Sequence, residues 1–205
     1  DDPRKMQGRM HGLPPLTTPD AVSLHSALQP LTEAGVTHLA IEASSHGLAQ
    51  HRLDGLNIHI AAFTNLSRDH LDHHEEMDSY FAAKSRLFTG LLLAGGSAVI
   101  NIDDEYGAKL AASMREAEPR QHVVITVGQD KSADFRIADI SPMDFGLEIT
   151  VEHKGQAYRI PVALAGAFQA VNAVTAAVMA YATGLPIHDS LSALPYVTGA
   201  EGRMQ

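Results

Sequence analysis

The sequence predicts an α/β fold: a mainly parallel sheet flanked by helices, with a small antiparallel β portion. Three observations carry that prediction. Short apolar runs such as Ile58–Phe63 (broken only by His59) and Ala98–Ile102 have the character of strands buried in a parallel sheet. Such runs alternate with helical segments at roughly 25–35-residue spacing, as βα units do. Past residue 134 the pattern changes to short alternating segments joined by turn residues, the mark of antiparallel strands at a sheet edge.

Taken in order, residues 1–16 carry Gly8, Gly12, Pro14 and Pro15 and read as loop. Thr17-Thr18-Pro19-Asp20 is a helix-start signal. Val22, Leu24, Leu28 and Leu31 then supply an apolar face to about Ala34, before Gly35. Thr37–Glu42 (THLAIE) reads as a short strand ending on a carboxylate, followed by the tight turn Ala43–Leu48. After strand Ile58–Phe63 and a polar stretch, Asp78 reads as the N-cap of a helix running to Leu93. Lys84 lies about two turns in, and Gly95-Gly96 break the helix. Strand Ala98–Ile102, helix Glu105–Glu116 and strand Val123–Val127 follow. Phe135–Ile140, Phe145–Glu152 and Ala157–Val162 are the antiparallel strands. An Ala-rich helix from Ala167 to Thr183 ends at Gly184, and a last helix covers Ile187–Leu194.

The bulk properties exclude several classes. The chain has 205 residues, 45% hydrophobic and 19% charged, which suits an ordinary globular domain. A net charge of −9 argues against a nucleic-acid surface, although local cations and helix N-termini can still hold a small anion. No apolar run reaches membrane-span length, and residues 1–10 (DDPRKMQGRM) are polar rather than signal-like. With no cysteine, a cytoplasmic setting is expected, without disulfides or a thiol catalyst. The sequence contains neither a G-x-x-x-x-G-K-[ST] nor a G-x-G-x-x-G loop, and is expected to be a fragment of something longer.

The densest chemistry lies at residues 65–84, NLSRDHLDHHEEMDSYFAAK. Asp69, His70, Asp72, His73, His74, Glu75 and Glu76 crowd just past a strand's C-terminal end, where open α/β sheets place ligands. On residue type alone three readings stand: a solvated acidic turn, a transition-metal site, or a magnesium site serving phosphate chemistry.

Four stretches together resemble one family. They are Thr17–Asp20, Glu42–Leu48 (EASSHGL), Thr64–His74 (TNLSRDHLDHH) and Gly202-Arg203-Met204. In this order and spacing they resemble the central domain of Mur ligases, closest to the type that adds the third amino acid to UDP-N-acetylmuramoyl-L-alanyl-D-glutamate. The resemblance implies a P-loop NTPase-like central domain across residues 1–205. The P-loop, the N-terminal UDP-binding domain and the C-terminal domain would then lie outside this chain. It implies ATP and Mg²⁺ as cofactors, and a UDP-MurNAc-dipeptide and an amino acid (diaminopimelate, with lysine the alternative) as substrates. The reaction would pass through an acyl phosphate in peptidoglycan synthesis, and the fragment alone is expected to be inactive.

The resemblance also implies roles. Glu42 matches the magnesium-binding glutamate, against a capping or salt-bridged role. His70 matches the histidine at a second magnesium, against an ordinary loop histidine. Lys84 matches the lysine carboxylated on its amine, against an exposed helix lysine; that conversion needs a neutral amine. Thr17, Thr18, Ser45, Gln50 and Arg52 match positions holding the UDP-muramoyl-dipeptide, and for the two threonines helix capping is the competing role. Asn65 is expected to position metal or phosphate, against a turn asparagine. Asn172 matches an adenine-contacting asparagine, with Gln169 where another Asn is expected, and Arg203 matches an arginine reaching the ATP phosphates. Two other classes stay open at this point. One is a non-catalytic nucleotide or UDP-sugar binding module; the other is a metal-dependent hydrolase using residues 69–74.

Overall fold

A computed structural model describes residues 17–66, 77–117 and 121–197. The described residues fall into two compact units: one of residues 17–57 and 77–91, the other of residues 58–66, 92–117 and 121–197.

The first unit is helical. Helix α1 spans Ala21–Glu33, and its N-cap is Asp20, whose carboxylate accepts the Ser23 N–H at 3.0 Å. Neither threonine caps it. Leu24 is fully buried, but Val22, two positions away and so on the opposite side of the helix, is 77% exposed rather than part of the apolar face. Helix α2 is the single turn Ser45–Ala49, capped by Ser44, whose hydroxyl accepts from the Gly47 N–H at 3.0 Å. Helix α3 spans Met77–Arg86 and runs into a π-helical turn, Leu87–Leu91. Asp78 therefore sits inside the first turn, where its charge complements the positive end of the helix dipole, and is not the cap. Leu24, Leu48 and Leu53 form the core, with Ile41, Ala43, Leu56, Leu87 and Leu91 packed on it.

The predicted strand Thr37–Glu42 is not one. These residues have no ladder partner among the described strands, and without cross-strand hydrogen bonds an apolar run gains nothing from the β conformation. Only its end is drawn inward, where Ile41 and Ala43 meet the leucine core while Leu39 stays 45% exposed.

The second unit is a six-stranded sheet in the order β1-β2-β3-β4-β5-β6: β1 Ile58–Phe63, β2 Leu92–Asn101, β3 Val123–Gly128, β4 Phe135–Pro142, β5 Leu147–His153 and β6 Gln156–Val162. The first four strands pair in parallel, and β4, β5 and β6 pair antiparallel, as the change in pattern at residue 134 predicts. Strand β2 starts six residues before the predicted Ala98. Leu92–Leu93, read as the end of a helix, belong to the sheet, and the β1–β2 register shifts beyond Leu92 where Gly95 turns at φ +81°. β1 lies at one end of the described strand order, which leaves His59 exposed while Ala61 and Phe63 are buried.

Helix α4 (Glu105–Glu116) and helix α5 (Ala167–Ala182) use opposite faces of the sheet, as strand alternation requires. Val99, Val127, Phe135, Ile149 and Val151 share one core cluster with Ala170, Ala173, Val174, Ala177 and Val178 of α5, whose i, i+3, i+4, i+7, i+8 spacing is one helix face. On the other face, Arg115 of α4 reaches Thr126, and Gly107 sits against Asn101 and Phe63. A short helix α6 (Ile187–Ser192) and a 3₁₀ turn (Leu194–Tyr196) add Leu191 and Leu194 to the α5-side core.

Candidate functional site

Thr18 organises the first unit. Its hydroxyl donates to the Glu42 carbonyl at 2.7 Å and accepts the Ser44 N–H at 2.9 Å, pinning the end of the extended segment to the start of α2. The residue is buried, and the hydroxyl has used its one proton, so towards any ligand it could only accept. The Arg52 guanidinium donates to the Thr18 carbonyl at 2.8 Å and, through Nε, to the Gln50 amide oxygen at 2.9 Å. The Gln50 amide nitrogen lies 2.8 Å from His46 Nε2. Gly47 is required by this packing: a Cβ there would lie 2.8 Å from both the Cβ and the methyl carbon of Thr18. Thus Thr18, Gln50 and Arg52 share one hydrogen-bonded arc running from residue 42 to residue 54. Ser45, buried, opens α2 within that arc, and Thr17 precedes Thr18 as an exposed residue.

Glu42 and Lys84 belong to the same unit, and the Glu42 carboxylate acts electrostatically on the lysine. Glu42 is exposed at the end of the extended segment. Lys84 is half-buried on α3, its ammonium 5.2 Å from the centroid of the Tyr80 ring. Burial pushes the lysine below its ordinary value of 10.5, and the Glu42 carboxylate pulls the other way. His70, the third member of the expected constellation, lies outside the described residues, as does Arg203. Among the described residues no group of three or more His, Asp or Glu side chains is placed to hold a metal. The chemistry of the pair nonetheless fits a hard cation in one form. A carboxylate is the right donor; an ammonium repels the ion, but a lysine depressed by burial gives up its proton more readily, and the neutral amine is the form that can be carboxylated.

In the second unit the C-terminal ends of the parallel strands are tied together. The Asn101 side chain donates to the Thr64 carbonyl at 2.7 Å and accepts the Asp103 N–H at 3.0 Å. Asp103 accepts the Gln129 N–H at 2.8 Å, fixing the turn after β3. Asp104 caps α4 through the Gly107 N–H at 3.0 Å and also accepts the Leu66 N–H at 3.1 Å. Asn65 projects from this edge as an exposed residue between Thr64 and Leu66, both of which are held. Asn172 lies half-buried on α5, three residues and so one face from Gln169. Asn101, Asp103 and Asp104 had no assigned role from the sequence; the signal that could have found them is the N-x-D-D run where β2 gives way to a helix.

The Mur ligase middle domain family matches residues 4–180. The UDP-N-acetylmuramoyl-L-alanyl-D-glutamate–2,6-diaminopimelate ligase of Rhizobium meliloti is 48% identical over 192 residues, covering 93% of this chain and 38% of the relative. A solved ligase of the same name superposes with a TM-score of 0.84 at 36% identity, over 97% of this chain and 40% of that one. The folylpolyglutamate synthase of Mycobacterium tuberculosis, complexed with ADP, shares the fold at 21% identity, with a TM-score of 0.67 over 87% of this chain and 39% of that one. The chain spans about two fifths of the length of the curated relatives it matches. With a family match over most of its length and its sheet and helices shared with a ligase, the chain belongs to the Mur ligase middle domain family.

Proposed function

We propose that this chain is the central, ATP-binding portion of a longer ligase that joins a third amino acid, meso-diaminopimelate, to UDP-MurNAc-L-Ala-D-Glu in peptidoglycan synthesis. The observation that carries the reading is the hydrogen-bonded arc that gathers Thr18, Ser45, Gln50 and Arg52 with the exposed Glu42 at its start, in the same unit as the half-buried Lys84. In this reading the substrate's terminal carboxylate attacks the γ-phosphorus of ATP, ADP leaves, and the acyl phosphate is then attacked by the amino acid's amine, releasing phosphate. Such a reaction asks the protein for positioning and charge neutralisation rather than a covalent intermediate. Mg²⁺, when bound, would neutralise the nucleotide's phosphate charge. Glu42, His70 and a carboxylated Lys84 are the residues that would hold it. Arg52 uses three of its five N–H groups within the arc and keeps two for a substrate carboxylate; Thr17, Thr18, Ser45 and Gln50 offer hydroxyl and amide contacts to the sugar-peptide. Asn65, Asn172 and Arg203 are assigned to the nucleotide. A cytoplasmic location goes with this reading, and no described helix is long and apolar enough to cross a membrane.

The test uses a chain of the relatives' length with ATP, Mg²⁺, UDP-MurNAc-L-Ala-D-Glu and meso-diaminopimelate, following ADP release and the tripeptide by mass spectrometry. Turnover is expected there and none from the 205-residue chain alone. Lys84→Ala is expected to remove turnover, with partial recovery on adding a short carboxylic acid. Wild-type turnover in Lys84→Ala would remove the lysine from the site; no tripeptide from the long wild-type chain would overturn the ligase reading.

A further inference from the structure

Two residues beyond Lys84, Arg86 points the other way round α3, since two residues turn a helix by roughly 200°. Its Nη2 donates to both Asp54 carboxylate oxygens, at 2.6 and 2.7 Å, and its Nη1 to the Leu48 carbonyl at 3.2 Å. The arginine side chain is only 25% exposed, so this is more than a solvated surface pair. Asp54 is itself held: His51, at φ +59°, brings Nδ1 within 2.9 Å of its carboxylate, and His25 Nε2 lies 3.2 Å from its carbonyl. The arginine bond, with His51 second, holds the Asp54 carboxyl below its ordinary range. Leu48 and Asp54 belong to the same arc that begins at Glu42 and is pinned by Thr18.

We propose that Arg86 is a positioning residue for Lys84: clamped on Asp54 and the Leu48 carbonyl, it fixes α3 against the far end of the arc so that Lys84 is presented to Glu42 at the near end. The assignment deepens the ligase reading and rests on it for its catalytic consequence. The π-helical turn at Leu87–Leu91 follows immediately and seats Leu87 and Leu91 on the arc's leucines, so the clamp and the apolar contact set the same rotation of α3.

Two measurements test it. In the 205-residue chain, a zero-length carbodiimide is expected to join Glu42 to Lys84 as an amide detectable by peptide mass spectrometry. The yield is expected to fall at least fivefold in Arg86→Gln and in Asp54→Asn, and to fall in Arg86→Lys, which keeps the charge but not the fork. Circular dichroism identifies any variant that fails to fold, and Arg86→Lys then carries the comparison. Equal yields in folded variants overturn the clamp. In the long chain, the same variants are expected to lower kcat at least tenfold with KM for the UDP-MurNAc-dipeptide within twofold, because the arc itself stays pinned by Thr18 and Arg52. The Arg86→Gln/Asp54→Asn double variant is expected to lose no more than either single one. A rise in KM matching the fall in kcat would reveal general loosening and overturn the positioning role. If the long wild-type chain makes no tripeptide, the ligase reading fails while the cross-link still judges the clamp.

Discussion

Thr18→Val isolates what the arc's pivot contributes, because valine keeps the shape and removes only the hydroxyl. Two hydrogen bonds go: the one to the Glu42 carbonyl at 2.7 Å and the one from the Ser44 N–H at 2.9 Å. Each is worth about 0.5–1.5 kcal/mol net, and because both backbone groups are partly buried, the loss sums to about 2 kcal/mol. That corresponds to a roughly 30-fold larger opening equilibrium. The assay is native-state hydrogen exchange read residue by residue, which reports local opening without requiring the two units to unfold together. Faster exchange is expected at the amides of Ser44–Gln50, with those of β3–β5 unchanged. Asp20→Ala, the true cap variant, is expected to cost about 1 kcal/mol and to show its effect in α1 instead. Gly47→Ala meets the same threonine from the other side at 2.8 Å and is expected to cost about 1–3 kcal/mol. Thr18→Ser, which removes the methyl carbon, should relieve part of that cost, so the double variant is expected to be less destabilised than the sum. If Thr18→Val opens α1 rather than the α2 turn, or leaves Ser44–Gln50 protected as in the wild type, the pivot reasoning is wrong.

Lys84→Met is expected to stabilise the protein at neutral pH, measured by urea denaturation in CO₂-free buffer. The sign follows from burial: with the folded pKa below 10.5, the unfolded chain binds more protons between the two values, so wild-type stability rises with pH across that window. The advantage of Lys84→Met over wild type should therefore shrink as pH climbs toward 10.5, and a constant gap would refute the buried-ammonium explanation. Gly107→Ala gains about 1 kcal/mol of helix propensity but sets a Cβ 1.9 Å from the Asn101 carbonyl oxygen, a backbone atom that cannot rotate away. Lifting the first turn of α4 is expected to cost about 3 kcal/mol, net destabilisation by about 2, and a urea midpoint at or above wild type would contradict it.

The sheet was legible because each strand carries its own signal. β1 and helix α4 match their predicted spans, and the alternation after residue 134 marks where pairing turns antiparallel. Two errors share a cause. Thr37–Glu42 has strand composition but no partner, and Leu92–Leu93 have the apolar character of a helix end but lie beside β1; in both, pairing decided what composition left open. The Val22 and Asp78 errors are smaller, a face and a cap set by where the first helical turn begins.

The candidate site was legible one residue at a time, and what escaped was how those residues are held. The sequence marks Thr18 as a ligand contact or a cap, yet its hydroxyl bonds two backbone groups 24 and 26 positions away. Arg86 carried no motif at all, and its carboxylate partner lies 32 positions earlier. Neither distance has a period in the sequence, because the first is set by the segment before α1 meeting the segment before α2, and the second by α3 meeting the loop after α2, not by the repeat of any helix. A short sequence motif records the group that faces a ligand. The side chain–backbone and ion-pair ties that aim it are recorded only in the fold, so variants at Thr18, Asp54 and Arg86 test the positioning of Glu42 and Lys84 while leaving both intact.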